Sequence, residues 1–256
     1  MAVLTEEQAL IKDQASDWVK EKAPVSSFRA LRDSKSKQAF LPETWQAMVD
    51  MGWSGILVPE QYGGSDLGYL TSGLILEQLG RQLTASPFFA SSVVGASALM
   101  LAGDTAQQEA LMPGIVDGST LITLALDESS QHQPEQTAFE AEASGDGFSL
   151  NGKKTFVAEG MCATHYIVAA RTSGKPGDAF GLSLFLVAAD AVGLERTALP
   201  TIDSRDYARL SFADVEVHAT ALLGTLDDGM PVLEQLLDRA RIGMAAEMLG
   251  TACQAF

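Results

Sequence analysis

The feature that most constrains this chain is a single change of texture near residue 120. Up to about residue 114, apolar residues recur at helical spacing in segments near 6–22, 43–51, 70–83 and 87–103, and the breaks hold Pro24, Gly52, Pro59 and Gly63-Gly64. Beyond 120 the chain becomes short runs of β-formers: "TLITLAL", "GFSLNGKKTFVA", "THYIVAAR", "GLSLFLVAA" and "ARLSFADVEVHA". After "GTLDDGM" the helical pattern returns in "PVLEQLLDRARIGMAAEMLGTACQAF". Helices and strands segregated in this way predict an α+β chain. The expected parts are an N-terminal helical domain over 1–114, an antiparallel β-barrel or sandwich over 115–225, and at 226–256 the start of more helices.

Local signals sharpen this outline. Thr5 and Gln8 have the spacing of a capping box that opens the first helix. Asn151-Gly152 predicts a type I′ hairpin turn. In the last segment Pro231 suits a first helical turn. Leu233, Leu236, Leu237, Ala240, Met244, Met248, Leu249, Ala252 and Phe256 then mark a broad apolar face. No Gly, Asn or Pro follows to close that helix, which raises the question of what the face packs against.

Charge and motifs exclude much. A net charge of −16 repels nucleic-acid phosphates and anionic membrane surfaces, so neither is an expected partner. The start "MAVLTEEQALIKDQ" has no signal-peptide pattern, and the apolar stretch "PFFASSVVGASALMLAG" carries three serines and is shorter than a membrane span, so it predicts a buried helix. Cys162 and Cys253 alone support neither a disulfide framework nor a zinc cluster, which points to a reducing, cytoplasmic compartment. "GGSDLG" lacks the Lys-Ser/Thr of a P-loop, and neither a GxGxxG fingerprint nor a GxSxG elbow occurs. His132, His165 and His218 are scattered and are expected to be surface or satisfied strand residues rather than catalysts or metal ligands.

Four strings then occur in an informative order: "MGWSGILVPEQYGGSDLG", "NGKKTFVAEGMCATHYIVAAR", "ARLSFADVEVHATALLG" and "LLDRARIGMAAEMLG". With the α, β, α order they resemble the acyl-CoA dehydrogenase family. The resemblance implies a soluble flavoprotein oxidoreductase of fatty acid metabolism, with FAD between the middle and C-terminal domains and partly contacted by a neighbouring subunit. It implies α,β-dehydrogenation of an acyl-CoA thioester, in which a glutamate removes the α-proton and the flavin takes a hydride from the β-carbon. By the resemblance, 226–256 is the first helix of a truncated C-terminal helical bundle, and its apolar face is expected to pack on helices that this chain does not contain: either the chain was truncated or cleaved, or a short protein borrows the rest from another subunit. A homo- or hetero-oligomer and an electron-accepting flavoprotein are the further implied partners.

The resemblance also carries site residues. "LALDESSQHQ" at 124–133 matches the segment lining the flavin and the CoA pyrophosphate side, which makes Leu124, Leu126 and Asp127 cofactor-binding candidates and Gln133 a substrate-binding one. Glu128 is retained, whereas Asp127 stands where the family has a threonine. An ionised carboxylate only accepts hydrogen bonds, so Asp127 either faces the flavin in place of a donor or turns outward to cap the strand end. Phe156, Val157 and Ala158 stand where the family has Trp-Ile-Thr beside the flavin ring. Phenylalanine keeps the packing role and alanine offers no hydroxyl, although a plain buried strand accounts for Phe156 and Val157 equally well. Asp238 and Arg241, in "DRAR", match a segment near the acyl chain, or form only an (i, i+3) helix pair.

No catalytic base is assignable. Some branches of the family place it where Ala240 stands, and most others beyond Phe256. Glu247 reads as a surface or interhelical charge. The expected function is an FAD-dependent acyl-CoA dehydrogenase in truncated form, and this fragment alone lacks the base. The alternative is a non-catalytic subunit of a hetero-oligomeric acyl-CoA dehydrogenase. An unrelated α-plus-β binding module leaves the ordered strings unexplained.

Overall fold

The computed structural model describes residues 4–34 and 40–256. The protein is α+β. Helix α1, Glu6–Lys22, opens at the expected capping box: Gln8 N–H donates to Thr5 Oγ1 and Thr5 N–H to Gln8 Oε1, both at 3.1 Å. Its buried face carries Trp18, which meets Trp53 edge to face with centroids 4.9 Å apart. Helices α2, Val25–Asp33, α3, Pro42–Asp50, and α4, Gly68–Gln82, follow. α2 was not expected, because it buries no residue completely and so leaves little periodic signal.

The stretch expected as one buried helix over 87–103 is two elements. Phe88–Gly95 is π-helical and continues into α5, Ala96–Ala102. Eight residues are long for a π-helix, which is usually a single widened turn found at functional sites. Helix α6, Thr105–Val116, starts at a second capping box built by Asp104 and Gln107. Pro113 and Gly114 inside it hid it from the sequence pattern.

The strands are β1, Ile122–Ala125, β2, Glu140–Ser144, β3, Gly147–Ala158, β4, His165–Arg171, β5, Leu182–Ala188, β6, Leu194–Ala198, β7, Tyr207–His218, and β8, Leu222–Leu223. They form one mixed sheet in the order β6-β7-β3-β2-β4-β5-β8, with β1 lying along β4. Pairing is antiparallel except for β1 with β4 and the single pair Glu140 with Arg171 between β2 and β4. Asn151-Gly152 is not a hairpin turn. It sits inside β3, at a register shift against β7. The Asn151 amide instead donates to Asp214 Oδ1 at 3.1 Å and its Oδ1 accepts from Asp214 N–H at 2.9 Å. The true turn, between β2 and β3, lies at Gly145, whose φ is +53°.

Helix α7, Met230–Ala255, packs along α4, the π-helical stretch and α5. Leu233, Leu236 and Leu237 are buried in a core shared with Leu99, Ile122, Ile167 and Leu184. Further along, the contact with α4 is made by glycines. A Cβ on Gly250 would lie 1.8 Å from the Glu77 carbonyl oxygen, and one on Gly80 would lie 2.1 Å from that of Glu247. Thr251 Oγ1 donates to Gly80 O at 3.0 Å across the same crossing. Of the apolar face expected on this helix, Met244, Met248, Leu249 and Phe256 are exposed, Met248 at 63%. No helix among the described residues is long and apolar enough to cross a membrane.

The crossing yields a clear expectation. Gly250→Ala gains about 1 kcal/mol of helix propensity but forces two backbones apart. Overpacking of this kind costs about 1–3 kcal/mol, so urea unfolding should show a net loss of stability. An unchanged midpoint would contradict the close approach of α4 and α7.

Candidate functional site

A cavity of about 320 Å³ lies where β1, β3, the π-helical stretch and α7 meet. Its walls are largely apolar, supplied by Leu124 and Leu126, by Phe89 and Val94, and by Leu237 and Met244. The π-helical stretch is fixed to β1 by Ser91, whose Oγ accepts from Ile122 N–H and donates to Thr120 O, both at 3.2 Å. Gly95 allows that contact, since a Cβ there would lie 2.7 Å from Ile122 Cβ.

The β3 wall is shaped by a bulge. Lys154 pairs with Leu210 and Val157 with Ala208, so two residues of β3 face one of β7. Bulges bend a strand and re-aim its side chains. Here Phe156 takes φ +51° and lies on the cavity wall, 48% exposed. A bulky residue in the left-handed region is a strained outlier that the surrounding structure must enforce. The enforcement is visible on both sides: Thr155 N–H donates to Asp127 O at 2.7 Å, and Thr123 Oγ1 donates to Ala158 O at 2.6 Å.

At the rim, Asp127 Oδ1 and His132 Nδ1 are hydrogen-bonded at 2.8 Å, and both residues line the cavity. Beside them Glu128 binds inward. Its carboxyl accepts from Ala138 and Phe139 N–H and from Lys154 Nζ at 2.8 Å. Lys154 is fully buried; its Nζ also donates to Leu126 O at 3.0 Å and sits 4.9 Å from the centre of the Phe139 ring. Burial pushes the lysine down to about 8, against the opposing pull of Glu128.

A second cavity, of about 160 Å³, shares Phe89, Ala158 and Met244 with the first and continues inward to Glu159, Arg205 and Glu247. Arg205 forms an ion pair with Glu247 of α7 and donates to Thr84 O at 3.2 Å. Glu247 therefore ties α7 to the loop before β7. Burial pushes the Glu159 carboxyl up to about 8; Arg205 opposes this, while Glu247, Asp206 and Asp203 add to it.

The structure brings together Leu124, Leu126, Asp127, Phe156, Ala158 and Arg241 around the first cavity. It does not bring Val157 there: that side chain points into the sheet core and is buried among Tyr166 and Ala208. Gln133 lines a separate cavity of about 200 Å³ beside Glu128. Asp238 is exposed, lines a further cavity of about 760 Å³ with Arg241, and pairs with it at 2.8 Å. An exposed pair of this kind contributes only a few tenths of a kcal/mol. The sequence missed His132, Lys154 and Glu159. Only "DESSQH" held a legible signal, an acid and a histidine close enough for one turn to join. Among the described residues no group of three or more His, Cys, Asp or Glu could hold a metal ion.

Residues 5–119 match the acyl-CoA dehydrogenase N-terminal domain and residues 127–215 the acyl-CoA dehydrogenase middle domain. The chain is 33% identical over 193 residues to the acyl-CoA dehydrogenase FadE27 of Mycobacterium tuberculosis, covering 75% of this chain and 49% of that protein. It thus spans about half the length of that relative. Among solved structures, it is similar to the ChsE4-ChsE5 complex from Mycobacterium tuberculosis, with a TM-score of 0.85, 29% identity and coverage of 98% of this chain and 65% of that one. Butyryl-CoA dehydrogenase from Megasphaera elsdenii gives a TM-score of 0.88 at 26% identity, covering 100% and 68%.

Two variants test the electrostatics. Glu128→Ala leaves the Lys154 ammonium buried with one carbonyl, and stranding a buried charge costs about 3 kcal/mol. Lys154→Met should cost less, because an apolar chain fills the channel and Glu128 keeps its two backbone donors. Equal losses in chemical denaturation would contradict the buried ammonium. Glu159 sets a pH dependence. Its carboxyl holds its proton more tightly folded than unfolded, so its contribution is full below about pH 4.5 and declines up to about pH 8. Glu159→Gln should remove that decline, leaving the variant more stable than the wild type above pH 8, by a few kcal/mol at most.

Proposed function

The chain belongs to the acyl-CoA dehydrogenase family, and from that membership we propose that it forms one wall of an FAD-dependent site for α,β-dehydrogenation of an acyl-CoA thioester. The observation that carries this reading is the bulge at Thr155-Phe156, which turns an aromatic ring onto an otherwise aliphatic cavity. A cavity of about 320 Å³ lies within the usual range for small-molecule sites, near its lower end.

The residues present fit a flat aromatic group. Phe156 offers a half-exposed ring for stacking, and Leu124 and Leu126 keep water from the β1 side. When bound, the flavin would supply the hydride acceptor. The task of this chain is then to orient and to dry: Phe156 packs, Leu237 and Met244 of α7 close the apolar side, and Arg241 places a guanidinium at the rim. Asp127 is engaged with His132, so its carboxyl is turned toward a partner within the chain. No residue is assigned as the base.

A second reading has its own support. Ala158 has no hydroxyl, and Asp127 stands in place of a threonine, so two side-chain donors implied by the resemblance are missing. The similar structure ChsE4-ChsE5 is a complex of two proteins. On this reading the chain is a non-catalytic subunit beside a second dehydrogenase-like chain that completes the site.

Purification of the full-length chain decides between them. The first reading expects yellow protein, and FAD titration of the apoprotein should show Phe156→Ala binding about tenfold more weakly, the loss of roughly one stacking contact. Colourless protein that takes up no FAD even beside a co-purifying dehydrogenase-like chain would overturn the site altogether. Uptake only in that mixed assembly would favour the second reading.

A further inference from the structure

The two cavities differ in chemistry although they share three wall residues, and that difference bears on the substrate. The first, outer one is largely apolar with Asp127, His132 and Arg241 at its rim, whereas the second, inner one includes buried polar atoms with nothing to bind. Thr84 is 5% exposed and its Oγ1 has no hydrogen-bond partner; the Oε2 of Glu159 is buried and equally unpartnered. Buried polar atoms without partners are rare, and each calls for a ligand or ordered water.

The position of Glu159 is held from the backbone. It takes φ +50°, its N–H donates to Asp206 O at 2.7 Å, and its carbonyl accepts from Ala163 N–H at 3.0 Å and from Cys162 Sγ at 3.2 Å. Asp206 is occupied by the N–H groups of Met161 and Cys162, and Arg205 by Glu247 and Thr84 O. Asp203 accepts from Thr201 Oγ1 and from Arg205 N–H. The Ser86 and Tyr207 hydroxyls also line the pocket, and its buried polar atoms without a partner are one carboxyl oxygen, of Glu159, and one hydroxyl, of Thr84.

Resting on the acyl-CoA reading above, we propose that the acyl group accepted here ends in an uncharged oxygen function, a hydroxyl or a ketone, which is bound between Glu159 and Thr84. An aliphatic chain crosses the outer cavity past Phe89 and Met244 and delivers its end to these two groups. A methyl end would leave both polar atoms unpaired, which sites built to hydrogen-bond a substrate oxygen strongly disfavour. A carboxylate end would meet Asp203 and Glu247 with only Arg205, already paired with Glu247, to balance them. Burial keeps the Glu159 carboxyl protonated at neutral pH, so it can donate to the ligand oxygen as well as accept from it.

Calorimetric titration of the full-length, FAD-loaded protein tests this with straight-chain acyl-CoAs of graded length, each in methyl-ended and ω-hydroxy form. At the length that reaches the inner pocket, the ω-hydroxy thioester should bind about tenfold more tightly. Thr84→Val should reduce that preference, Glu159→Leu should abolish it, and Glu159→Gln, which keeps donor and acceptor, should retain most of it. Equal binding of both forms at every length would overturn the inference, leaving the pocket a water site and the dehydrogenase reading intact. If no acyl-CoA binds at any length, the acyl-CoA reading fails and this one with it. Thr84→Val serves as the measure if Glu159→Leu does not fold.

Discussion

The site depends on a lysine that has no access to water. Lys154 crosses from β3 beneath the end of β1, and its ammonium is neutralised by Glu128 and Leu126 O. A buried ion pair is weak evidence for stability, because two charges lose their hydration. Its value here is positional. Glu128 simultaneously takes the N–H groups of Ala138 and Phe139, so a single carboxyl gathers the loop after β1, the approach to β2 and the middle of β3. Asp127 and Leu126, immediately before it, face the cavity because the next residue is anchored inward.

Much of the outline was legible because periodicity reports burial, and burial here is layered. The capping box at Thr5 and the β3, β4, β5 and β7 runs carry enough apolar alternation to be seen. β2, "EAEAS", and β6, "LERTA", do not, since one is small and acidic and the other exposed. The failure at Asn151-Gly152 is instructive. The dipeptide has turn chemistry, but its two functions are split: the Asn side chain clasps Asp214, and the Gly at φ +134° makes room for the Phe139 ring, 2.7 Å from where a Cβ would stand. Local propensity was overridden by a pairing 63 residues away in sequence.

The candidate site divides along the same line. Leu124, Leu126 and Phe156 were identified through strings that resemble a family, and the fold gathers them because β1 and β3 both abut the π-helical stretch and α7. Val157 lies elsewhere because regular pairing with Ala208 resumes there and buries its side chain in the sheet core, just past the bulge that turns Phe156 onto the cavity. His132 was marked only by its closeness to Asp127 in the chain. Glu159 was invisible because its role arises from loop geometry: no pattern of residue types announces that a carboxyl will be enclosed by a helix arriving nearly ninety residues later.

One short stretch therefore governs both cavities. Phe156 and Glu159 each take a positive φ, and they flank Val157 and Ala158, which hold the strand in place between them. Such strain persists only where packing over-determines it. Gly160 permits the close fit, since a Cβ there would lie 2.6 Å from Ala208 Cβ, and Tyr166 Oη, fully enclosed, donates to Gly160 O. The strand end is thus pinned from β4 and from β7, and its two irregular residues are aimed in separate directions. Phe156 turns an aromatic face to the outer cavity, and Glu159 carries an acid to the inner one. Relaxing either backbone would shift the other through the same two intervening residues, so the shape of the outer cavity and the polarity of the inner one are mechanically linked.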